Sequence, residues 1–126
     1  VAHDEIVRAA YEGLAFLYAD TFNSLKKITG IPFDNVYIVG GGSKNELLNQ
    51  MTANSTGLPV VSGPIEATAI GNILIQMIAL GEIDDIENGR LLVRRSFRNE
   101  INNYTPVNRN KWIEAKNTWD VYSKSI

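Results

Sequence analysis

Between Asp4 and about Lys27 the apolar residues Ile6, Ala9, Ala10, Gly13, Leu14, Leu17 and Leu25 return at intervals of three and four, the period of a helix with one buried face. Asp4 and Glu5 suit its N-terminus, and Gly30 with Pro32 ends it. The period then changes. Val36-Tyr37-Ile38-Val39 is a short β-rich run, apolar toward both faces, which predicts a central strand of a covered, mostly parallel sheet. Three glycines follow, Gly40-Gly41-Gly42, and then a polar stretch with helical spacing. Ser43 stands three residues before Glu46, the capping-box interval, so a second helix is expected to begin at Ser43, turn Leu47, Leu48 and Met51 inward, and stop near Gly57. A second strand is expected over Leu58 to Ser62. After the turn at Gly63-Pro64, a helix should run from about Glu66 to Leu80, closed by Gly81.

Beyond Gly81 the pattern loses definition. Ile83 to Asn88 reads as an acidic connection, and Arg90 to Phe97 mixes bases with Leu91, Leu92 and Val93 without a clear period. Near the end Trp112, Ala115, Trp119 and Tyr122 share a helical face, so a terminal helix over Val107 to Ser123 is expected. The sum is an α/β fold with short, mostly parallel strands between helices, in one domain.

Composition narrows the possible chemistry. The chain has 126 residues, 44% hydrophobic and 21% charged, with a net charge of −2, and no apolar run approaches the ~18–20 residues of a membrane span. No membrane role is expected. Cysteine is absent, which removes disulfides, thiol nucleophiles and cysteine zinc sites, and fits a reducing, cytoplasmic location. His3 is the single histidine, so a serine triad would depend on a residue at the chain's extremity; Gly41-Gly42-Ser43-Lys44-Asn45 also lacks the last glycine of a serine elbow. The first residues carry no charged segment followed by an apolar core, so no signal peptide is expected. The chain opens without methionine and enters a helix at once, which suggests a piece cut from a longer protein.

The glycines are the sharpest candidate. A strand that ends in Gly40, Gly41 and Gly42 and enters a helix brings bare backbone N–H groups and a helix N-terminus together at the carboxyl edge of a sheet, where α/β proteins bind nucleotides. Neither a phosphate-loop pattern nor a complete Gly-x-Gly-x-x-Gly is present. A tight reversal alone could also require glycine. Asn45 offers a donor and an acceptor to whatever rests on the turn, chemistry that suits an adenine edge; it equally suits a helix start. In Glu66-Ala67-Thr68-Ala69-Ile70-Gly71 the small residues suit close packing, and Glu66 suits the helix dipole. Arg90, Arg94, Arg95, Arg98, Arg109 and Lys111, interleaved with Phe97, Tyr104 and Trp112, outline a nucleic-acid surface, but the acidic balance favours a solvated face or an interface.

Together, three passages resemble the C-terminal part of the FGGY family of carbohydrate kinases and, within it, the rhamnulokinase branch. They are "RAAYEGLAF" from Arg8 to Phe16, "IVGGGSKNELLNQMTANSTGLPV" from Ile38 to Val60, and "GPIEATAIGNILIQMIALGEI" from Gly63 to Ile83. The last of these, with Ser96-Phe97 and Tyr104-Thr105-Pro106, points to the branch. The resemblance implies an actin-like, ribonuclease-H-like ATPase fold whose nucleotide-binding part spans residues 1–126. It places Gly41 and Gly42 against the adenosine of ATP and Asn45 at the adenine edge, with Gly40 and Ser43 shaping the turn. It implies transfer of the ATP γ-phosphate to a ketose, L-rhamnulose giving L-rhamnulose 1-phosphate, with Mg²⁺ as cofactor and ADP as product. L-Fuculose, D-xylulose or glycerol as substrate, and a non-catalytic actin-like nucleotide-binding module, stay open as alternatives. In the family the phosphate loop, the sugar contacts and the catalytic aspartate lie upstream. Asp20, Asp34, Asp84, Asp85 and Asp120 have no matching context, so no catalytic or metal role is assigned in this chain. The fragment alone is expected to be inactive, with the sugar held mainly by a missing N-terminal domain and with no nucleic-acid partner.

Overall fold

A computed structural model describes residues 2–123. Among the described residues, five α-helices and three short strands follow in the order α1 (His3–Thr29), β1 (Val36–Ile38), α2 (Glu46–Thr56), β2 (Val60–Ser62), α3 (Ala67–Ala79), α4 (Ile86–Ser96), β3 (Asn102–Tyr104) and α5 (Arg109–Ser123). The α/β class is as expected. The strands form one sheet in the order β1-β2-β3. Val36 N–H donates to the Pro59 carbonyl and Gly63 N–H to the Ile38 carbonyl; the partners advance together, so β1 and β2 run parallel. With β3 the sheet is mixed, so the expectation of a mostly parallel sheet is met only in part. Asn102 and Asn103 are poor strand formers, and nothing in their pattern announced a third strand.

The described chain divides into two compact units. The first comprises the residues up to Val36, then Asn45–Val60, and the chain from Tyr104 onward. Here α1 and α5 both pack on or beside α2. The buried face of α1 is Gly13, Ala15, Phe16 and Ala19, and Ile6, Leu14, Leu17 and Leu25 are exposed. That reverses the expectation for the large residues. Small side chains let α2 approach closely, and the Ser55 hydroxyl donates to the Ala15 carbonyl at 2.7 Å, a bond that bulk at the contact would prevent. Helix α2 likewise buries Asn49, Met51, Thr52, Ala53, Asn54 and Ser55, whereas Leu47 is exposed and Leu48 only half-buried. Its buried polar groups are largely held by hydrogen bonds: Asn54 Oδ1 accepts from Val107 N–H, and the Thr52 hydroxyl donates to the Leu48 carbonyl. From α5, Trp112 and Trp119 meet Phe16 with ring centres 5.5 and 5.8 Å apart. Tyr122, expected on the same packed face, is exposed.

The second unit comprises Tyr37–Lys44 and Val61–Asn103. Helix α3 begins after Glu66, whose side chain makes no capping bond. Helix α4, which the sequence left without a period, starts at Asp85, whose carboxylate accepts from Asn88 N–H at 2.8 Å. It lies close to α3 at Gly89, where a Cβ would stand 3.3 Å from Leu74 and Ile83 side-chain carbons. Gly63 is demanded twice over: its φ is +94°, and a Cβ there would sit 2.3 Å from the Glu100 carbonyl oxygen.

Candidate functional site

The run after β1 folds as a single 3-10 turn, Gly40–Lys44, in the second unit. Only Gly40 needs to be glycine on backbone grounds, with φ +77°. Its N–H reaches toward the Pro64 carbonyl at 3.4 Å, and the Ser43 hydroxyl donates to the Gly40 carbonyl at 2.6 Å. Ser43 is buried by this arrangement, so its side chain holds the turn. Gly41 and Gly42 are different. Both are exposed, neither has a positive φ, a Cβ on Gly41 would meet nothing within 4 Å, and one on Gly42 would make an ordinary 3.8 Å contact with Ile38. Tight reversal therefore accounts for Gly40 and leaves the other two without an internal reason. Bare backbone facing open space is what close approach of a flat ligand requires.

The N-cap of α2 is not Ser43, whose hydroxyl donates to the Gly40 carbonyl within the turn. Asn45 is the N-cap of α2 instead, its Oδ1 accepting from Leu48 N–H at 3.0 Å. A cap three residues ahead of the N–H that donates to it is as good here as the Ser43–Glu46 pairing, and the glycine-permitted 3-10 turn selects it. The acceptor half of the Asn45 amide is thus committed to the helix, which leaves its Nδ2 hydrogens as donors. Asn45 falls in the first unit and the turn in the second.

The other candidates resolve one at a time. Glu66 is exposed and makes no capping bond at the head of α3. Arg109 donates to the Asn54 and Ser55 carbonyls at 2.8 and 2.6 Å, closing the C-terminal end of α2, and Arg90 pairs with Glu87 one turn away. Trp112 is packed on Phe16. These residues of the basic, aromatic stretch thus have internal roles. Among the described residues no group of three or more His, Asp or Glu side chains is placed to hold a metal ion, and no described helix is long and apolar enough to cross a membrane. The strongest feature missed by sequence reasoning is an open groove of about 680 Å³ in the second unit, floored by Tyr37, Val39 and Val61 and walled by Ile70, Leu74 and Val93. The uncharged run from Ala67 to Leu80 was the available signal: only a stripe of Thr68, Asn72 and Gln76 interrupts its apolar residues, so the helix wants cover on more than one side.

Residues 3–80 match the C-terminal domain of the FGGY family of carbohydrate kinases. The chain belongs to that family. Among curated proteins, the FGGY segment is 43% identical over 111 residues to a rhamnulokinase of Bacteroides thetaiotaomicron, an alignment that covers 88% of the chain and 22% of that relative. A rhamnulokinase of Bacillus subtilis is 41% identical over 111 residues, covering 88% of the chain and 23% of the relative. One from Klebsiella pneumoniae is 46% identical over 90 residues, covering 71% and 18%. The FGGY chain therefore spans about a fifth of the length of the relatives it matches.

Proposed function

We propose that this chain is the adenosine side of an ATP-dependent sugar kinase with an actin-like fold, and that the glycine turn is the surface on which the nucleoside rests. The observation that carries the reading is the pair Gly41 and Gly42, exposed and without any backbone or packing reason to be glycine. Gly40 and Ser43 set the turn's shape, and the Asn45 Nδ2 donates to a ring nitrogen of adenine. The residues present fit the nucleoside half of ATP. They supply no ligand set for Mg²⁺ among those described, so magnesium is assigned no residue here.

When bound, ATP supplies the γ-phosphoryl group, which passes to a hydroxyl oxygen of the sugar as the bond to the ADP oxygen breaks; the hydroxyl proton goes to a base. This chain's part is positioning. Close seating of the nucleoside fixes the line along which the phosphoryl group can move, and alignment of this kind is a large share of what phosphoryl transfer asks of a protein. The base, phosphate contacts and sugar contacts come from elsewhere in the full protein, whose domain closure completes the site. The chain alone is inactive. The names of its relatives favour L-rhamnulose as acceptor, giving L-rhamnulose 1-phosphate; a chain without cysteine fits a reducing, cytoplasmic location.

The test is ADP release by a full-length kinase carrying this segment, with MgATP and a panel of L-rhamnulose, L-fuculose, D-xylulose and glycerol. Release stimulated by L-rhamnulose alone is the expected result. Stimulation by another sugar would overturn the substrate, and nucleotide binding with no sugar-stimulated release would leave a nucleotide-binding module in place of a kinase.

A further inference from the structure

Helix α2 has the candidate Asn45 at its N-terminal end and a hydrogen-bonded network along one face. Gln50 and Asn54 are four residues apart and therefore share that face. The Gln50 amide Nε2 donates to Asn54 Oδ1 at 2.9 Å and to the Thr105 carbonyl at 2.8 Å, and Asn54 Oδ1 also accepts from Val107 N–H at 2.8 Å. One amide oxygen, in a residue only 6% exposed, thus uses both of its lone pairs. The segment it meets is pre-shaped. Pro106 fixes its own φ near about −65° and brings no N–H, so the carbonyl before it and the N–H after it are presented together. A leucine at either helix position would suit burial and helix propensity as well, so the amides are explained by the backbone they bind.

We propose that Gln50 and Asn54 are positioning residues for nucleotide binding: by fastening α2 to residues 105–107 they set the rotation of the helix about its own axis, and with it the direction in which the Asn45 Nδ2 hydrogens point. This rests on the nucleotide reading of Asn45. As the N-cap of α2, Asn45 is tied to the first turn through Leu48 N–H, so its amide turns with the helix. The ties made by Ser55 to the Ala15 carbonyl and by Arg109 to the Asn54 and Ser55 carbonyls lie at the far end of α2; Gln50 is about a turn nearer to Asn45. A rotation of about 12° moves an atom ~5 Å from the helix axis by ~1 Å, enough to break a hydrogen bond. All of these partners belong to the first unit, as Asn45 does.

The test is a double-mutant cycle on a full-length kinase carrying this segment, read as KM for ATP, kcat and Tm. Asn54→Leu keeps the bulk and removes the acceptor. KM for ATP should rise at least about fivefold with kcat held within about twofold, since the weakened contact binds nucleotide alike in the ground and transition states. Asn54→Asp keeps an oxygen for both donors and should recover the parent KM. In an Asn45→Asp background, where the donors are already gone, Asn54→Leu should change KM by less than about twofold. A residue with a structural role alone would lower Tm and leave KM unmoved in both backgrounds, and that outcome would overturn the proposal. An equal rise in both backgrounds would also overturn it, because the effect would not pass through Asn45. A parental KM in Asn45→Asp by itself would remove the nucleotide reading and the proposal with it, so the two failures are told apart. Gln50→Leu, at a half-buried position, carries the same cycle if Asn54→Leu does not fold.

Discussion

At Asn45 one side chain is asked to do two things, and the geometry separates them. Its Oδ1 caps α2 through Leu48 N–H, and in the proposed site its Nδ2 hydrogens face the base. Asn45→Ala should lose both, destabilising the protein by about 1 kcal/mol as a lost N-cap does and weakening ATP. Asn45→Asp should keep the cap, since a carboxylate oxygen accepts the same bond, while removing the donors; ATP affinity should fall about tenfold, the worth of one good hydrogen bond, with Tm unchanged. Thermal unfolding and ATP titration on both variants check this. Equal nucleotide affinity in Asn45→Asp and the parent would remove Asn45 from the site. The glycine turn was legible in the sequence because glycines between a strand and a helix form a local signal. The choice of Asn45 over Ser43 as cap was not, because it depends on where a 3-10 turn ends, and both residues are good caps.

Among the elements, α2 is held by two helices, α1 and α5, and by a fastening at its C-terminal end. Gly57 closes it in the left-handed conformation, and the Arg109 guanidinium takes the Asn54 and Ser55 carbonyls. Arg109→Ala should destabilise the fold by about 1–2 kcal/mol, since hydrogen bonds to a charged group exceed neutral ones, and Arg109→Lys should recover only part: Nη1 alone donates to both carbonyls, while the flat guanidinium lies against Gly57, a packing that an ammonium does not reproduce. Chemical denaturation of the two variants tests the ordering; an unchanged midpoint in Arg109→Ala would contradict it. Elsewhere in the first unit, Lys116 lies 2.9 Å from Asp20 and is also hydrogen-bonded to Asp120. Burial works to lower its pKa, but the hydrogen bonds and charges of Asp120 and Asp20 together outweigh it and raise it above 10.5. Because the folded pKa is the higher one, this contribution is complete below the unfolded lysine value and is lost as pH climbs through the raised value. Both carboxylates are well exposed, which limits the contribution to about 1 kcal/mol or less. The Tm deficit of Lys116→Met relative to the parent should therefore be constant from neutral pH to about pH 10, near the unfolded lysine value, and shrink above it; a deficit that grew with alkalinity would contradict the assignment. The long helices were legible from period alone, whereas α4 was hidden by its arginines and by Gly89, whose reason is close approach to Leu74, a tertiary fact.

For the molecule as a whole, the sequence pattern reported large apolar faces, and the described structure leaves several of them open. Ile6, Leu14, Leu17 and Leu25 on α1, and Ile73 and Ile75 on α3, remain exposed; periodicity says that a face is apolar but not which neighbour covers it. The same faces are intelligible in a chain that spans about a fifth of its FGGY relatives. Family membership was legible because it is carried by contiguous motifs, and the sheet's mixed direction was not, because it depends on a polar strand of three residues. The central claim is that ATP rests on the glycine turn, and Gly41 tests it most directly because a Cβ there meets nothing within 4 Å. The measurement is the KM for ATP of a full-length kinase carrying Gly41→Leu, with its Tm as the control on folding. The account predicts a KM at least about tenfold higher, the equivalent of some 1.4 kcal/mol of lost binding, at an unchanged Tm. An unchanged KM in a variant as stable as the parent would contradict it.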